Sequence, residues 1–463
     1  MQQSLALTLI SLLLFFTGLF GGNAPGDSLS PPPAFRNPWQ PSSGASTPAS
    51  AGSGSFGTAP TLRTSTGVTV AVGGTVLPSE KRINLRSGPG TGYRLVAQAG
   101  KGTPLTALEA KSKWLKVRTP GGQVAWVADW LVQPGTAVAT GALRRTPLGY
   151  EVWGYYDTDG TNSALDVLRR EARNLTAVVP FAFRLRSDGS IADHHPSQAM
   201  SVAKSAGLDT LALIHNYSGD YFSSQDVDAL LRSASARHRA IQSMLHILRS
   251  YGYRGVHLDL ENVPPADREL LSGFVAEVAA ALRPEGYLVT MAVPAKNQED
   301  YANAWSGAFD YAALGASLDR VVVMAYDEHF RIGDPGPIAS LPWVESVVRY
   351  AASRIPPEKI LLGIPGYGYD WPLDGQDGRG ISYQQAMQIA RTQDITPNWS
   401  GDAQSPYFSY RSGGTQREVW FETASSLTPK IQLVQRFHLR GIALWRLGLE
   451  DPALWPVIAR SLG

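Results

Sequence analysis

The sequence predicts an α/β protein: a (β/α)8 barrel of the TIM type with an insertion between its seventh and eighth strands, preceded by a small all-β barrel. Three observations predict it. From Val152 to the C-terminus, eight near-continuous apolar runs alternate with helix-like stretches, the mark of a parallel sheet covered on both faces. The gap from Pro365 to Gly441 is too long for one helix and holds a strand-like run of its own, REVWFE at 417–422. Ahead of these, residues 75–135 are short β-runs split by glycine turns. A doubly wound open sheet is the alternative, but no glycine-rich phosphate loop follows the first strand.

The elements follow in order. Leu5–Phe20 is an uncharged apolar run shorter than a membrane span of about 20 residues. Residues 1–24 are therefore read as a secretory signal peptide or an uncleaved anchor, placing the protein outside the cell or at its envelope. Two features bear on cleavage: Met1–Ser4 carries no Lys or Arg, and Gly22-Asn23-Ala24 is followed by Pro25. Residues 25–74 are rich in Pro, Ser, Gly, Ala and Thr, and read as a disordered spacer. The segment 75–135 includes INLRSGPGTGY at 83–93, KWLKVRT at 113–119 and VAWVADWL at 124–131. Its Trp114, Trp126 and Trp130 are three large aromatics for so small a core, so at least one is expected to be exposed beside Tyr93.

Within 148–463 the expected strands are 152–156, 175–183, 210–216, 255–261, 287–293, 319–326, 359–365 and 441–447. Helix-like stretches at 226–251 and 267–283 lie between them. With 463 residues and 43% apolar content the chain can bury a large core, and its length suits two or three domains. A net charge of +2 with dispersed basic residues argues against nucleic acid as partner, and the absence of cysteine excludes disulfides and thiolate metal sites.

GVHLDLEN at 255–262 carries the chemistry. Strand alternation sends Val256, Leu258 and Leu260 one way and His257, Asp259 and Glu261 the other. Two carboxylates roughly 6.5 Å apart on one face raise one another's pKa, which makes a neutral acid available near neutral pH. The bland alternative is a solvent-facing polar side of an amphipathic strand. Context decides, because the active site of such a barrel gathers at the carboxyl ends of its strands. Those ends carry Tyr155, Tyr156, Asp157, Phe181, Phe183, Asn216, Tyr326, Asp327, Tyr367, Tyr369 and Trp445 beside the pair. Carboxylates flanked by aromatics suit a carbohydrate, whose C–H faces stack on rings while polar groups take its hydroxyls. The scattered histidines, His194 and His195 included, read as capping or surface residues rather than metal ligands.

Two resemblances sharpen this reading. N-L-R-S-G-P-G at Asn84–Gly90 and G-x-V-x-W-V at Gly122–Val127 resemble the bacterial SH3-like (SH3b) domain, which implies a small β-barrel that binds cell-wall peptides. A spacer without ligand is the other reading of that segment. Most of 150–463 resembles glycoside hydrolase family 18. Its D-x-x-D-x-D-x-E motif aligns with Arg254, His257, Asp259 and Glu261, its M-x-Y-D with Met324, Tyr326 and Asp327, and its eighth-strand tryptophan with Trp445. LENVPPADR at 260–268, PAK at 294–296, MAYDEH at 324–329 and GIPGYGYDW at 363–371 are similar to the spore-germination or cortex-lytic branch, N-acetylglucosaminidases of peptidoglycan. Arg254 and His257 stand where the family motif has aspartates.

The resemblance implies retaining, substrate-assisted hydrolysis of β-1,4 N-acetylglucosaminyl bonds, with no metal or cofactor needed. Glu261 would be the acid and base, Asp259 would hold the substrate's acetamido N–H, and Tyr326 its carbonyl oxygen. His257, Asp327, Trp445, Met324, Tyr367 and Asn216 would bind or orient the sugar, with His257 behind Asp259 and Trp445 as the floor. Peptidoglycan or another N-acetylglucosamine polysaccharide is the expected partner, for a monomeric enzyme. A chitinase-type endo-N-acetylglucosaminidase and a non-catalytic sugar-binding barrel remain open as alternatives.

Overall fold

The computed structural model describes residues 61–65, 67–71, 75–101, 103, 105–119, 122–134, 143–157, 163–219 and 221–463. The apolar run at 5–20 and the spacer up to residue 60 lie outside the described residues. Among the described residues, no helix is long and apolar enough to cross a membrane.

Eight runs buried along nearly their whole length form parallel strands: β1 (Glu151–Tyr156), β2 (Ala177–Leu185), β3 (Asp209–His215), β4 (Gly255–Asp259), β5 (Leu288–Pro294), β6 (Arg320–Met324), β7 (Ile360–Pro365) and β8 (Gly441–Trp445). Each strand pairs with its sequence neighbour, and β1 pairs with both β2 and β8, so the sheet closes into a barrel. Alternation along each strand sorts the side chains. Trp153, Tyr155, Val179, Leu211, Leu213, Val322, Leu361 and Ala443 fill the interior, while Val152, Val178, Ala212, Val256, Leu258 and Val293 meet the surrounding helices. Leu143 joins the interior cluster and the Arg144 N–H donates to Asp209, so the barrel unit starts before residue 148.

The amino-terminal end of the barrel is tied by ion pairs. Glu151, wholly buried on β1, takes the Arg320 guanidinium of β6 at 2.7 and 3.0 Å. Arg254 belongs to this end too, 3.1 Å from Asp209 and at the opposite end of β4 from Asp259. The stretch expected as one helix over 226–251 is two, Ser224–Arg232 and Ala234–Tyr251. Ser233 breaks it: its backbone is extended and its hydroxyl accepts the Ala236 N–H, the geometry of a helix N-cap.

The insertion between β7 and β8 is an antiparallel sheet of five strands, with Tyr367–Pro372 and Thr415–Phe421 at its centre. Helix Tyr383–Thr392 covers one face through Ala386 and Ala390, which pack on Ile381, Phe408, Val419 and Phe421. Asp370, buried in the strand Tyr367–Pro372, is held by Arg379, Arg417 and Tyr410.

The amino-terminal unit is a seven-stranded antiparallel sheet running from Thr75 to Pro134, closed on Val76, Ile83, Leu85, Leu105, Leu115, Val117 and Val127. Tyr93 lies over Gly88 so closely that a Cβ there would come within 2.3 Å of its ring, which explains the glycine of the S-G-P-G turn. Trp130 and Tyr93 are 54% and 51% exposed, whereas Trp114 and Trp126 are buried, with Trp114 edge-on to Trp130. The spacer expected to reach residue 74 ends sooner. Thr61–Arg63 and Thr69–Ala71 pair as a hairpin, and Leu62, Val68 and Val70 pack on this unit's core. The alternating apolar residues of T-L-R and G-V-T-V, few as they are, suffice to order it.

Candidate active site

A cleft of about 340 Å³ opens at the carboxyl ends of the barrel strands. Asp259, Glu261, Tyr326, Asp327, Met324, Tyr367 and Trp445 all line it, as the sequence predicts. Each is placed by a strand end. β4 stops at Asp259, Leu260 stays buried, and Asn262 turns the chain through a left-handed conformation with φ 54°. Glu261 is thus half-buried two residues beyond the strand rather than on it. β6 likewise stops at Met324, and Asp327 takes φ 60°. Gly363 on β7 makes room here, since a Cβ would come within 2.7 Å of the Val323 carbonyl and 3.1 Å of the Tyr326 ring.

The electrostatics follow from burial. Asp259 is 4% exposed, its Oδ1 accepts no hydrogen bond, and burial pushes its pKa up to about 7. Burial raises Glu261 well above the carboxylate range, and the charges of Asp259 and Asp327 raise it further. Asp327 is pushed up to about 6 by burial, against the opposing effect of two phenols: Tyr367 and Tyr369 donate to its Oδ1 at 2.5 and 2.9 Å. Tyr326, whose hydroxyl is deeply buried beside these acids, keeps its proton far above neutral pH. Two coupled carboxyls that retain a proton near neutrality, one with an unsatisfied oxygen, can give a proton to a leaving group and accept a hydrogen bond from the same molecule. The walls are aromatic: Tyr155, Phe181 and Trp445 meet edge-on at 5.3 and 5.8 Å, and Tyr217, Phe222, Trp305 and Phe330 form the rims.

Four expectations change. Asn216 does not reach the cleft. It is buried behind Glu261, where Nδ2 donates to the Glu261 carbonyl at 2.8 Å and Oδ1 accepts the Glu261 N–H at 2.9 Å, so it is a backbone clamp rather than a sugar ligand. His257 is also beneath the surface. Its ring nitrogens meet Tyr155 at 2.8 Å and Thr290 at 2.9 Å, which leaves none for Asp259. Tyr156 follows Tyr155 and so points to the helices. Phe183 should share a face with Phe181, but a register irregularity between them turns it outward onto Tyr253.

The rim residues Tyr217, Tyr221, Phe222, Trp305, Phe330 and Ile332, five aromatics and one aliphatic, sit in loops, where no periodicity in the sequence marks a direction. The cluster NYSGDYF at 216–222 was the available signal. His195 stacks on Tyr251 at 3.8 Å, away from the cleft, and among the described residues no three His, Cys, Asp or Glu gather as a metal-ligand set.

Comparison with known proteins gives two family matches: Glycosyl hydrolases family 18 over residues 151–450 and Bacterial SH3 domain over residues 81–133. The chain is similar to the cortical fragment-lytic enzyme of Bacillus subtilis (strain 168), 31% identical over 307 residues that span 64% of this chain and 71% of the relative. Among solved structures it is similar to the Bacillus cereus spore cortex-lytic enzyme SleL, with a TM-score of 0.64 and 28% identity over 74% of this chain and 77% of that one. A chitinase from Chromobacterium violaceum ATCC 12472 matches equally well in shape, with a TM-score of 0.64 and 29% identity, covering 67% of this chain and 98% of that one.

Proposed function

Since the chain belongs to glycosyl hydrolase family 18 and is a glycoside hydrolase, we propose that it cleaves β-1,4 N-acetylglucosaminyl bonds of peptidoglycan by a retaining, substrate-assisted route. The observation that carries the proposal is the convergence of Glu261, Asp259 and Tyr326 on one aromatic-walled cleft, with Asp259 Oδ1 buried and unsatisfied. Family 18 departs from the scheme of two enzyme carboxylates because the substrate supplies the nucleophile.

Glu261, kept protonated by burial and by the Asp259 and Asp327 charges, gives its proton to the glycosidic oxygen as the C1–O bond breaks. The substrate's 2-acetamido oxygen attacks C1 and forms an oxazolinium ion, so the electron pair lost to the leaving group is replaced from the same sugar. Asp259 accepts the acetamido N–H, which orients the carbonyl for attack and balances the positive charge that develops. Tyr326 donates to the acetamido oxygen. Glu261, now ionised, takes a proton from water as the water oxygen bonds to C1 and the C1–O bond of the oxazolinium ring breaks, which restores the acetamido group, and two inversions give net retention. Trp445 is the floor under the acetamido-bearing sugar.

Two observations favour peptidoglycan over chitin. Relatives whose names place them at the cortex cover 64% and 74% of this chain, and a Bacterial SH3 domain match precedes the barrel, which on this reading gives a second contact with the cell wall. On this reading the enzyme acts at the cell envelope, and the exposed Trp130 and Tyr93 form part of the wall-binding surface. The chitinase likeness keeps a second substrate in view. Digestion of purified peptidoglycan and of chitin oligomers, with new reducing ends identified by mass spectrometry, separates them. The proposal requires reducing N-acetylglucosamine ends with retained configuration and a preference for peptidoglycan. Ends on muramic acid refute it. Glu261→Gln should reduce turnover by about 10²- to 10⁴-fold without loss of fold.

A further inference from the structure

Beneath the cleft floor, three side chains form a hydrogen-bonded chain whose proton positions can be worked out from its fixed end. Thr290 Oγ1 lies 3.0 Å from the Val256 carbonyl oxygen, which can only accept, so the threonine proton belongs there. The threonine oxygen is then an acceptor for its other neighbour, His257 Nδ1 at 2.9 Å. The imidazole is wholly buried against Trp153 and Tyr155, and burial lowers its pKa to about 3, so it is neutral and carries one proton. With that proton on Nδ1, Nε2 is a bare lone pair. The 2.8 Å contact between Nε2 and Tyr155 is therefore donated by the tyrosine hydroxyl. Independently, Asp259 Oδ1 accepts no hydrogen bond, although Tyr155 lines the same cleft.

We propose that His257 is a positioning residue: in its Nδ1–H form it draws the Tyr155 proton down into the barrel, so that the Asp259 carboxyl stays unshared for the substrate's acetamido N–H. The inference rests on the role given to Asp259 above. The groups around the imidazole fit it. Tyr155 comes from β1, Thr290 from β5 and the uncharged Leu213 from β3, while Asp259, Glu261, Tyr326 and Asp327 stand above it at the cleft. In the opposite arrangement Thr290 would donate to Nδ1 and Nε2–H to the tyrosine. That would leave two bare oxygens facing each other at Val256 and leave the Tyr155 proton free on the side where the Asp259 charge already acts on this hydroxyl.

The proton position can be read without turnover, so its failure is distinct from failure of the functional reading, which Glu261→Gln tests. Nitrogen–proton correlation spectra of the intact protein with 15N-labelled histidine should show His257 protonated on Nδ1, bare on Nε2, and unchanged from roughly pH 5 to 8. A proton on Nε2, or titration in that range, overturns the proposal. In kinetics on soluble peptidoglycan fragments, His257→Leu frees the Tyr155 hydroxyl to stabilise the Asp259 anion. The acid limb of kcat/KM should then move to lower pH by about one unit, the usual spread of carboxylate values. That movement must vanish when Tyr155→Phe is added. A shift that persists without the tyrosine hydroxyl, or no shift, also overturns the proposal. Should His257→Leu fail to fold, the spectrum of the unaltered protein still decides.

Discussion

Asn216 is the residue whose replacement separates the holding of Glu261 from its chemistry. Its side chain makes three hydrogen bonds from a fully buried position: Nδ2 to the Ser223 carbonyl at 3.1 Å and to the Glu261 carbonyl at 2.8 Å, and Oδ1 from the Glu261 N–H at 2.9 Å. At about 1 kcal/mol each, Asn216→Ala should cost the barrel about 3 kcal/mol, and more if the three backbone groups stay dry and unpaired. The kinetic effect is separate. Glu261 lies beyond the end of β4, so Asn216 is the partner that fixes its main chain on both sides. A catalytic group displaced by about 1 Å loses roughly 10²-fold in rate, so kcat should fall by about that factor while KM changes little.

Asn216→Asp refines the test. It keeps the shape and the acceptor for the Glu261 N–H, but sets a carboxylate oxygen against two carbonyls. The expected order of kcat is wild type, then aspartate and alanine, both well below. The assay is kcat and KM on soluble glycan fragments beside urea denaturation of the same preparations, with Glu261→Gln as the reference for a folded, inactive barrel. If Asn216→Ala loses stability as expected yet keeps kcat within a few-fold, the clamp is structural only and the positioning argument is refuted.

Asp259→Asn bears on pH and stability. The folded-state pKa of Asp259 is raised from 3.8 to about 7, so its stabilising contribution is complete below 3.8 and is lost as pH rises toward 7. The variant should therefore gain stability relative to wild type between pH 5 and pH 8, by on the order of a few kcal/mol in denaturant midpoints, while losing activity. An advantage that shrinks as pH rises contradicts the burial argument. Tyr367→Phe removes a 2.5 Å hydrogen bond that holds the Asp327 pKa down, so Asp327 should ionise above about 6, weaken its hold on the Glu261 proton and move the alkaline limb of kcat/KM to lower pH. Movement to higher pH speaks against it. Trp130→Ala in the full chain should reduce retention on insoluble wall while turnover of soluble fragments stays unchanged, and equal retention reduces the amino-terminal unit to a spacer.

What could be read from the sequence followed from periodicity. The inward and outward sets of β4 are dictated by strand alternation alone, and His257 and Asp259 fall inside the barrel while Val256 and Leu258 fall outside. The same rule failed at Phe183, because a bulge is one residue of irregular backbone and leaves no compositional trace in PFAFRL. It was incomplete at Glu261, whose direction survives the end of the strand only because Asn216, 45 residues earlier, holds its backbone. Ser233 is a different failure. The capping serine is present in RSASAR, but the flanking apolar residues keep helical spacing across it and so mask the cap.

The imidazole at position 257 changes the charge balance of the cleft. Asp259, Glu261 and Asp327 already crowd three carboxyls into one region where burial raises all three, and the charges of Asp259 and Asp327 raise Glu261 further. A fourth carboxylate on the inner face of β4, two residues before Asp259, would hold Asp259 protonated to higher pH and so oppose its use as an acceptor for the acetamido N–H. A neutral imidazole occupies the same inward position, satisfies Thr290 and Tyr155, and adds no charge. Asp259 can then ionise while Glu261 keeps its proton, the pairing of states that the proposed reaction needs. His257→Asp should accordingly raise the acid limb of kcat/KM, the direction opposite to His257→Leu. Should the two variants move that limb the same way, the charge at position 257 does not set the ionisation of Asp259.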